Sequence, residues 1–217
     1  LNQYENALWP QSDLVMLQDT FDTYSQEEPY HLYYLTVRGH VIYNFSENAM
    51  SYKHMEITEN LPYSETTRAY LACQYELELA MSELIDELKE NGQYDNTLIV
   101  LAGDHVPYNN LDVLDELAGY ELEDTFEAYI SSLIIWSGSM EEPVRIDKVC
   151  SSIDILPTVS NLLGLEYDSR LIIGQDILSD SEGLVMFADR SFMTDTFSYR
   201  SSLISSSPVQ RTSPPEE

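Results

Sequence analysis

Thr97-Leu98-Ile99-Val100-Leu101-Ala102-Gly103-Asp104-His105 is the stretch that decides the fold class. Six residues, mostly apolar and β-branched, run without a break, and a glycine ends the run. That length and composition predict a buried strand of a parallel sheet, because such strands are covered on both faces and do not alternate. Immediately upstream, Ser64 to Asn91 predicts one long helix. Tyr70, Cys73, Leu77, Met81, Leu84 and Leu88 recur at three- and four-residue steps and form one apolar stripe. Ser64 is placed to cap it, Glu65 suits its first turn, Lys89 suits its last, and Gly92 stops it. The acidic residues between Glu76 and Glu90 read as a solvated helix face. Helix, turn and strand make the back half of a βαβ unit.

Further out, the pattern repeats. His31-Leu32-Tyr33-Tyr34-Leu35-Thr36-Val37 is aromatic and β-branched and predicts a strand, closed by a turn at Gly39. Leu111 to Ala118 and Glu123 to Tyr129 read as helices, and Ser132 to Trp136 as a strand. Ser152 to Leu163 reads as a helix capped by Ser151 or Ser152, with Pro157 near its first turns and Gly164 at its end. Leu184 to Ala188 reads as the last strand. Alternating strands and helices predict an α/β fold, a mainly parallel sheet flanked by helices. Residues 1–204 read as the folded part, and the Ser/Pro-rich stretch 205–217 as a disordered tail.

At 217 residues and 43% hydrophobic, the chain can bury a sizeable core as one domain or most of a larger one. Ten Lys and Arg stand against 38 Asp and Glu, a formal net charge of -28. Such a surface repels nucleic acid, and it repels anionic headgroups unless divalent cations bridge them. No apolar run approaches the ~18 residues of a membrane-spanning helix. Leu1-Asn2-Gln3-Tyr4 is neither an initiator Met nor a basic leader, so an excised or incomplete chain is expected. Cys73 and Cys150 fit no zinc spacing and read as small apolar side chains, with one disulfide left open for an exported protein.

In open α/β sheets ligands bind beyond the carboxyl ends of the strands. That rule selects two loops. Gly103-Asp104-His105 offers a carboxylate and an imidazole, a donor pair suited to a divalent metal. Two donors are not a site, and a loop carboxylate beside a packed histidine is the alternative reading. Arg38-Gly39-His40 offers an imidazole for an anionic group or for proton transfer, or else a loop histidine bonded to backbone. Arg38 could hold phosphate or sulfate, although the surplus of acids favours pairing with a carboxylate. Asp154 is explained by the dipole of its helix. His31 and His54 carry no usable pattern. No G-x-S-x-G, G-x-x-x-x-G-K-[ST] or G-x-G-x-x-G is present.

Taken as a set, these pieces resemble lipoteichoic acid synthase-like phosphoglycerol transferases of the sulfatase and alkaline phosphatase superfamily. Trp9-Pro10-Gln11-Ser12-Asp13 is similar to the family's W-P-x-S-D opening to a helix. Tyr33 to His40 resembles its T-x-S-G-H strand and loop, and Ala69 to Leu77 its long helix. Gly103-Asp104-His105-Val106-Pro107-Tyr108 resembles its D-H-Y-P-Y metal loop. Asp154-Ile155-Leu156-Pro157-Thr158 followed by Asn161-Leu162-Leu163-Gly164 is similar to its D-I-L-P-T-x-x-N-L-L-G signature. Asp168-Ser169-Arg170, Gly174-Gln175-Asp176 and Asp189-Arg190-Ser191-Phe192 follow in the family's order, so the resemblance covers Trp9 to Tyr199.

The resemblance implies an alkaline phosphatase/sulfatase-like fold, here the carboxyl-terminal half of a catalytic domain that is incomplete at its amino-terminal side. It implies that Asp104 and His105 are ligands of one divalent metal, commonly Mn, with Mg or Zn as alternatives. It implies that His40 binds substrate. The threonine nucleophile, a further acidic ligand and an Arg/His substrate grip are expected upstream of Leu1, so no catalytic nucleophile is assigned here and the isolated chain is expected to be inactive. The substrate would be a phospholipid-derived or other anionic ester. The full-length protein would stand at the outer face of a bacterial membrane, held by amino-terminal helices; a chain of this size alone would be soluble. Arg38 stands where a small Ser is typical, Val41-Ile42 where a Met-Pro type pair is common, and Asn109-Asn110 where a Gly is typical. A sulfatase or phosphoethanolamine transferase is the alternative within the superfamily, and a non-catalytic α/β binding module the alternative outside it.

Overall fold

A computed structural model of the chain describes residues 9–122 and 125–201. Ser12 opens the first helix, α1 (Asp13–Tyr24), by accepting a hydrogen bond from Val15 N at 3.1 Å, the usual way a serine satisfies a free amide at a helix start. Asn48 does the same for α2 (Ala49–Lys53), accepting from Ser51 N at 2.9 Å, and α3 (Met55–Thr58) follows directly. The long helix α4 (Glu65–Glu90) forms as its sequence predicts. Ser64 accepts from Thr67 N at 3.2 Å, and Gly92 lies in the left-handed region at φ +74°, which ends the helix. Strand β1 (Leu98–Ala102) follows, then α5 (Leu111–Ala118), α6 (Thr125–Ala128) and β2 (Leu133–Ser137).

Helix α4 is the spine of this first unit, which ends at Glu141. Helices α1, α2, α3 and α5 all pack on it. Four of the residues it buries completely are small, Ala69, Ala72, Cys73 and Ala80, which lets neighbouring backbones come close. Tyr43, Ala49 and Met50 close the core over Ala69 and Cys73, with Val41, Phe45 and Tyr70 packed around them. Burial pushes the Cys73 thiol up to about 12, so it behaves as an apolar residue, as its sequence reading expects. Cys150 is half-buried, and both cysteines are free thiols.

The second unit, from Glu142, is described separately. A short 3-10 turn, Ser152–Asp154, runs into α7 (Ile155–Leu162), with Pro157 in the first turn where its missing N–H costs nothing. Strands β3 (Leu184–Met186), β4 (Phe192–Thr194) and β5 (Ser198–Tyr199) form a small meander. Asp154 accepts from Ser151 N at 2.8 Å and from Gln175 N at 2.7 Å, and Thr158 Oγ1 accepts from Ile177 N at 2.9 Å. The D-I-L-P-T helix start is therefore the anchor for the G-Q-D segment. A Cβ on Gly174 would lie 1.9 Å from the Ile153 carbonyl oxygen, so only glycine fits there.

Several expectations are corrected. β1 and β2 pair antiparallel, Leu98 opposite Ser137 and Ala102 opposite Leu133, and the β3–β4–β5 ladders are antiparallel too. The mainly parallel sheet is thus not found among the described residues. An apolar run shows that a strand is covered, not which way its neighbour runs. β1 is also half-buried rather than fully buried. His31–Val37 joins no ladder; Tyr34 instead bonds Thr20 and Tyr24 of α1 through its hydroxyl, and β propensity yields a strand only where a partner is available. Glu76 is not on a solvated face but fully buried. The expected tail at 205–217 lies outside the described residues, as do positions 123 and 124 of the expected Glu123–Tyr129 helix. No helix among the described residues is long and apolar enough to cross a membrane.

Candidate functional site

The loop after β1 is tight, with Tyr108 N bonded to Val106 O and Asn110 N to Pro107 O, both at 2.8 Å. It presents Asp104 and His105 with side chains 70% and 52% exposed, open to an incoming ligand. His105 Nδ1 lies 2.8 Å from the Val106 carbonyl oxygen. A carbonyl only accepts, so Nδ1 carries the proton and Nε2 the lone pair. Nε2 is 3.7 Å from Asp104 Oδ2. A carboxylate oxygen and an imidazole nitrogen this close can bind one first-row divalent ion together. The carbonyl behind the imidazole is the kind of outer support that fixes a metal-binding histidine. The ring also stacks on Tyr108, centroids 5.2 Å apart at 20°. The residues present fit a share of a metal site. Among the described residues no third His, Cys, Asp or Glu joins them.

His40 is exposed and likewise tied through Nδ1, 2.7 Å from the Val41 carbonyl oxygen, leaving Nε2 for a ligand. Trp9 meets the ring edge-on at 5.2 Å and 75°; its Nε1 is 3.4 Å from Nδ1, too far to displace the shorter bond. The loop is held by His40 N to Val37 O at 3.1 Å, Asn48 Nδ2 to His40 O at 3.1 Å, and Tyr43 OH to Gly39 O at 2.9 Å. Arg38 takes the second of its two readings. It pairs with the Asp13 carboxylate at 3.6 Å, and donates to Thr36 Oγ1 at 2.8 Å and Gln74 Oε1 at 3.0 Å. Burial is the main force pushing the phenol of Tyr43 up, and the neighbouring Cys73 and Tyr70 add to it.

A cluster invisible to the motif search lies beneath. Glu76 accepts from Ser12 Oγ, from His54 Nε2 and, at 3.0 Å, from Lys53 Nζ. Burial alone would raise its pKa, but the hydrogen bonds from His54, Ser12 and Lys53 win and hold it at about 2. The signal was present in the sequence. Ala69, Cys73, Glu76 and Ala80 share the three- and four-residue spacing of a buried stripe, so Glu76 lies on the core face.

The Sulfatase family model matches residues 1–165. This chain belongs to the sulfatase family. Among similar proteins, lipoteichoic acid synthase of Staphylococcus saprophyticus is 23% identical over 178 residues, and lipoteichoic acid synthase 1 of Bacillus subtilis 25% over 177 residues. Each match covers 80% of this chain and 27% of the relative, so the chain spans about a quarter of the length of the curated relatives it matches. The crystal structure of the lipoteichoic acid synthase LtaP from Listeria monocytogenes aligns with a TM-score of 0.57 at 20% identity, over 89% of this chain and 50% of that one. That likeness shows a sulfatase/alkaline phosphatase-like α/β fold.

Proposed function

We propose that the chain is the carboxyl-terminal part of a metal-dependent phosphoglycerol transferase of the sulfatase family, acting on anionic phosphate esters in cell-envelope polymer synthesis. The observation that carries the proposal is the Asp104–His105 pair at the end of β1, two open donors 3.7 Å apart with the imidazole braced by a backbone carbonyl. Asp104 and His105 would hold one divalent ion, with Mn favoured over Mg or Zn on the family resemblance. When bound, the ion would stabilise negative charge on phosphate oxygens. His40, with Nδ1 committed to Val41 O, would bind a phosphoglycerol oxygen through Nε2. In its protonated form that nitrogen donates a charge-assisted hydrogen bond, which suits an anionic ester.

The proposal places no nucleophile within the 217 residues, so the isolated chain should bind metal and turn over no ester. It places the whole protein at the outer face of the bacterial cell membrane. The test is Mn2+ binding to the 217-residue chain by electron paramagnetic resonance, in about 0.15 M salt to screen the acidic surface. Asp104→Ala and His105→Ala should each weaken the tightest site by roughly 10-fold or more. Unchanged binding in both variants would discard the metal assignment and favour a non-catalytic α/β module.

A further inference from the structure

We infer that Asp13 and Arg38 are positioning residues for the loop that presents His40, an inference that rests on the reading of His40 as substrate-binding. The stretch from Thr36 to His40 has no ladder partner among the described residues, so sheet hydrogen bonds do not hold it. Its order comes from side chains that reach across from the two longest helices. Asp13, in the first turn of α1, is 1% exposed. It does not point to solvent as a dipole-pairing acid would; its carboxylate accepts from Val37 N at 3.0 Å and Arg38 N at 3.4 Å and faces the Arg38 guanidinium. Arg38 then ties the loop to itself through Thr36 and to α4 through Gln74.

The frame behind this clamp is itself hydrogen-bonded. Ser12, the neighbour of Asp13, donates to buried Glu76, so the start of α1 is fastened to α4 one residue away from the clamp. Gln74 and Glu76 are two residues apart on that same helix. Gly39 leaves room for the arrangement, since a Cβ there would come within 2.9 Å of Gln74 Nε2. The guanidinium supplies a flat, multi-point donor that a lysine could not reproduce. An exposed ligand-binding histidine on a loop needs such support to keep one geometry. A surface ion pair serving stability alone would be exposed and would not converge on two backbone amides of this loop.

The experiment uses the 217-residue chain with 15N-labelled histidine, followed by nuclear magnetic resonance, together with calorimetric titration of glycerol 1-phosphate. In the unaltered protein the His40 ring should show one tautomer, protonated at Nδ1. Asp13→Asn and Arg38→Gln should move it toward a tautomer average and lower affinity for glycerol 1-phosphate by roughly 10-fold, while His105 keeps its signals. Arg38→Lys should recover only part of the loss, and it serves with Arg38→Gln if Asp13→Asn fails to fold. His40 signals and affinity unchanged in the Arg38 variants would overturn the clamp. His40→Ala separates the two ideas. If it leaves glycerol 1-phosphate binding untouched, or if the unaltered chain binds none, the substrate reading of His40 fails, and the tautomer signal still decides the clamp.

Discussion

Glu76 is a buried carboxylate on which three side-chain donors of the first unit converge. It is fully buried, yet its pKa falls from an ordinary 4.5 to about 2 because His54, Ser12 and Lys53 all donate to it. A carboxylate depressed in this way stabilises the fold fully above about pH 4.5, and that stabilisation is lost as pH falls toward 2. The contribution is on the order of 3 kcal/mol. Urea unfolding measured across that range should show stability dropping in the unaltered chain, whereas Glu76→Gln should start roughly 3 kcal/mol less stable at pH 7 and flatten the acid limb. A parallel acid limb in the variant would place the pH dependence on other groups. At this scale the sequence was legible where chemistry is local. Asp104 and His105 are adjacent and follow a strand, so they could be named. Glu76, Lys53 and His54 meet through the packing of α2 and α3 on α4, and only the core-face spacing of Glu76 hinted at it.

Elements were legible to the extent that their ends are chemically marked. Helix α4 runs from the cap Ser64 to the left-handed Gly92, as the sequence reading places it. α7 starts after a Ser151–Asp154 capping box and ends at Gly164, φ +64°. Strand direction was not legible, because β1 and β2 have apolar runs that fit either orientation. His31–Val37 has strand-forming residues but gives its contacts to α1, the Asp13 carboxylate among them. Two substitutions test the element-level account. Gly174→Ala drives a Cβ into the Ile153 carbonyl and should destabilise the second unit by roughly 2 kcal/mol. Ser12→Ala removes both the α1 cap and a donor to Glu76, and should cost the first unit about 2 kcal/mol. Differential thermal denaturation with a probe in each unit would check them. Equal losses in both units would contradict the assignment of Gly174 to the second one.

The whole molecule carries a formal net charge of -28, and like charges resist compaction. Raising ionic strength from about 0.02 to about 0.5 M should therefore raise Tm. A fall in Tm would mean that specific ion pairs outweigh the repulsion. That charge would repel a nucleic-acid backbone, and under the proposed function a metal ion would mediate contact with a phosphate ester. Family membership fixes the fold, and the proposed function assigns its chemistry in this chain to the Asp104–His105 and His40 loops. The most direct measurement is anomalous diffraction at the Mn absorption edge from crystals of the chain grown with Mn2+. The account predicts a peak bridging an Asp104 carboxylate oxygen and His105 Nε2. A peak confined to other carboxylates, with these two atoms bare, would contradict it.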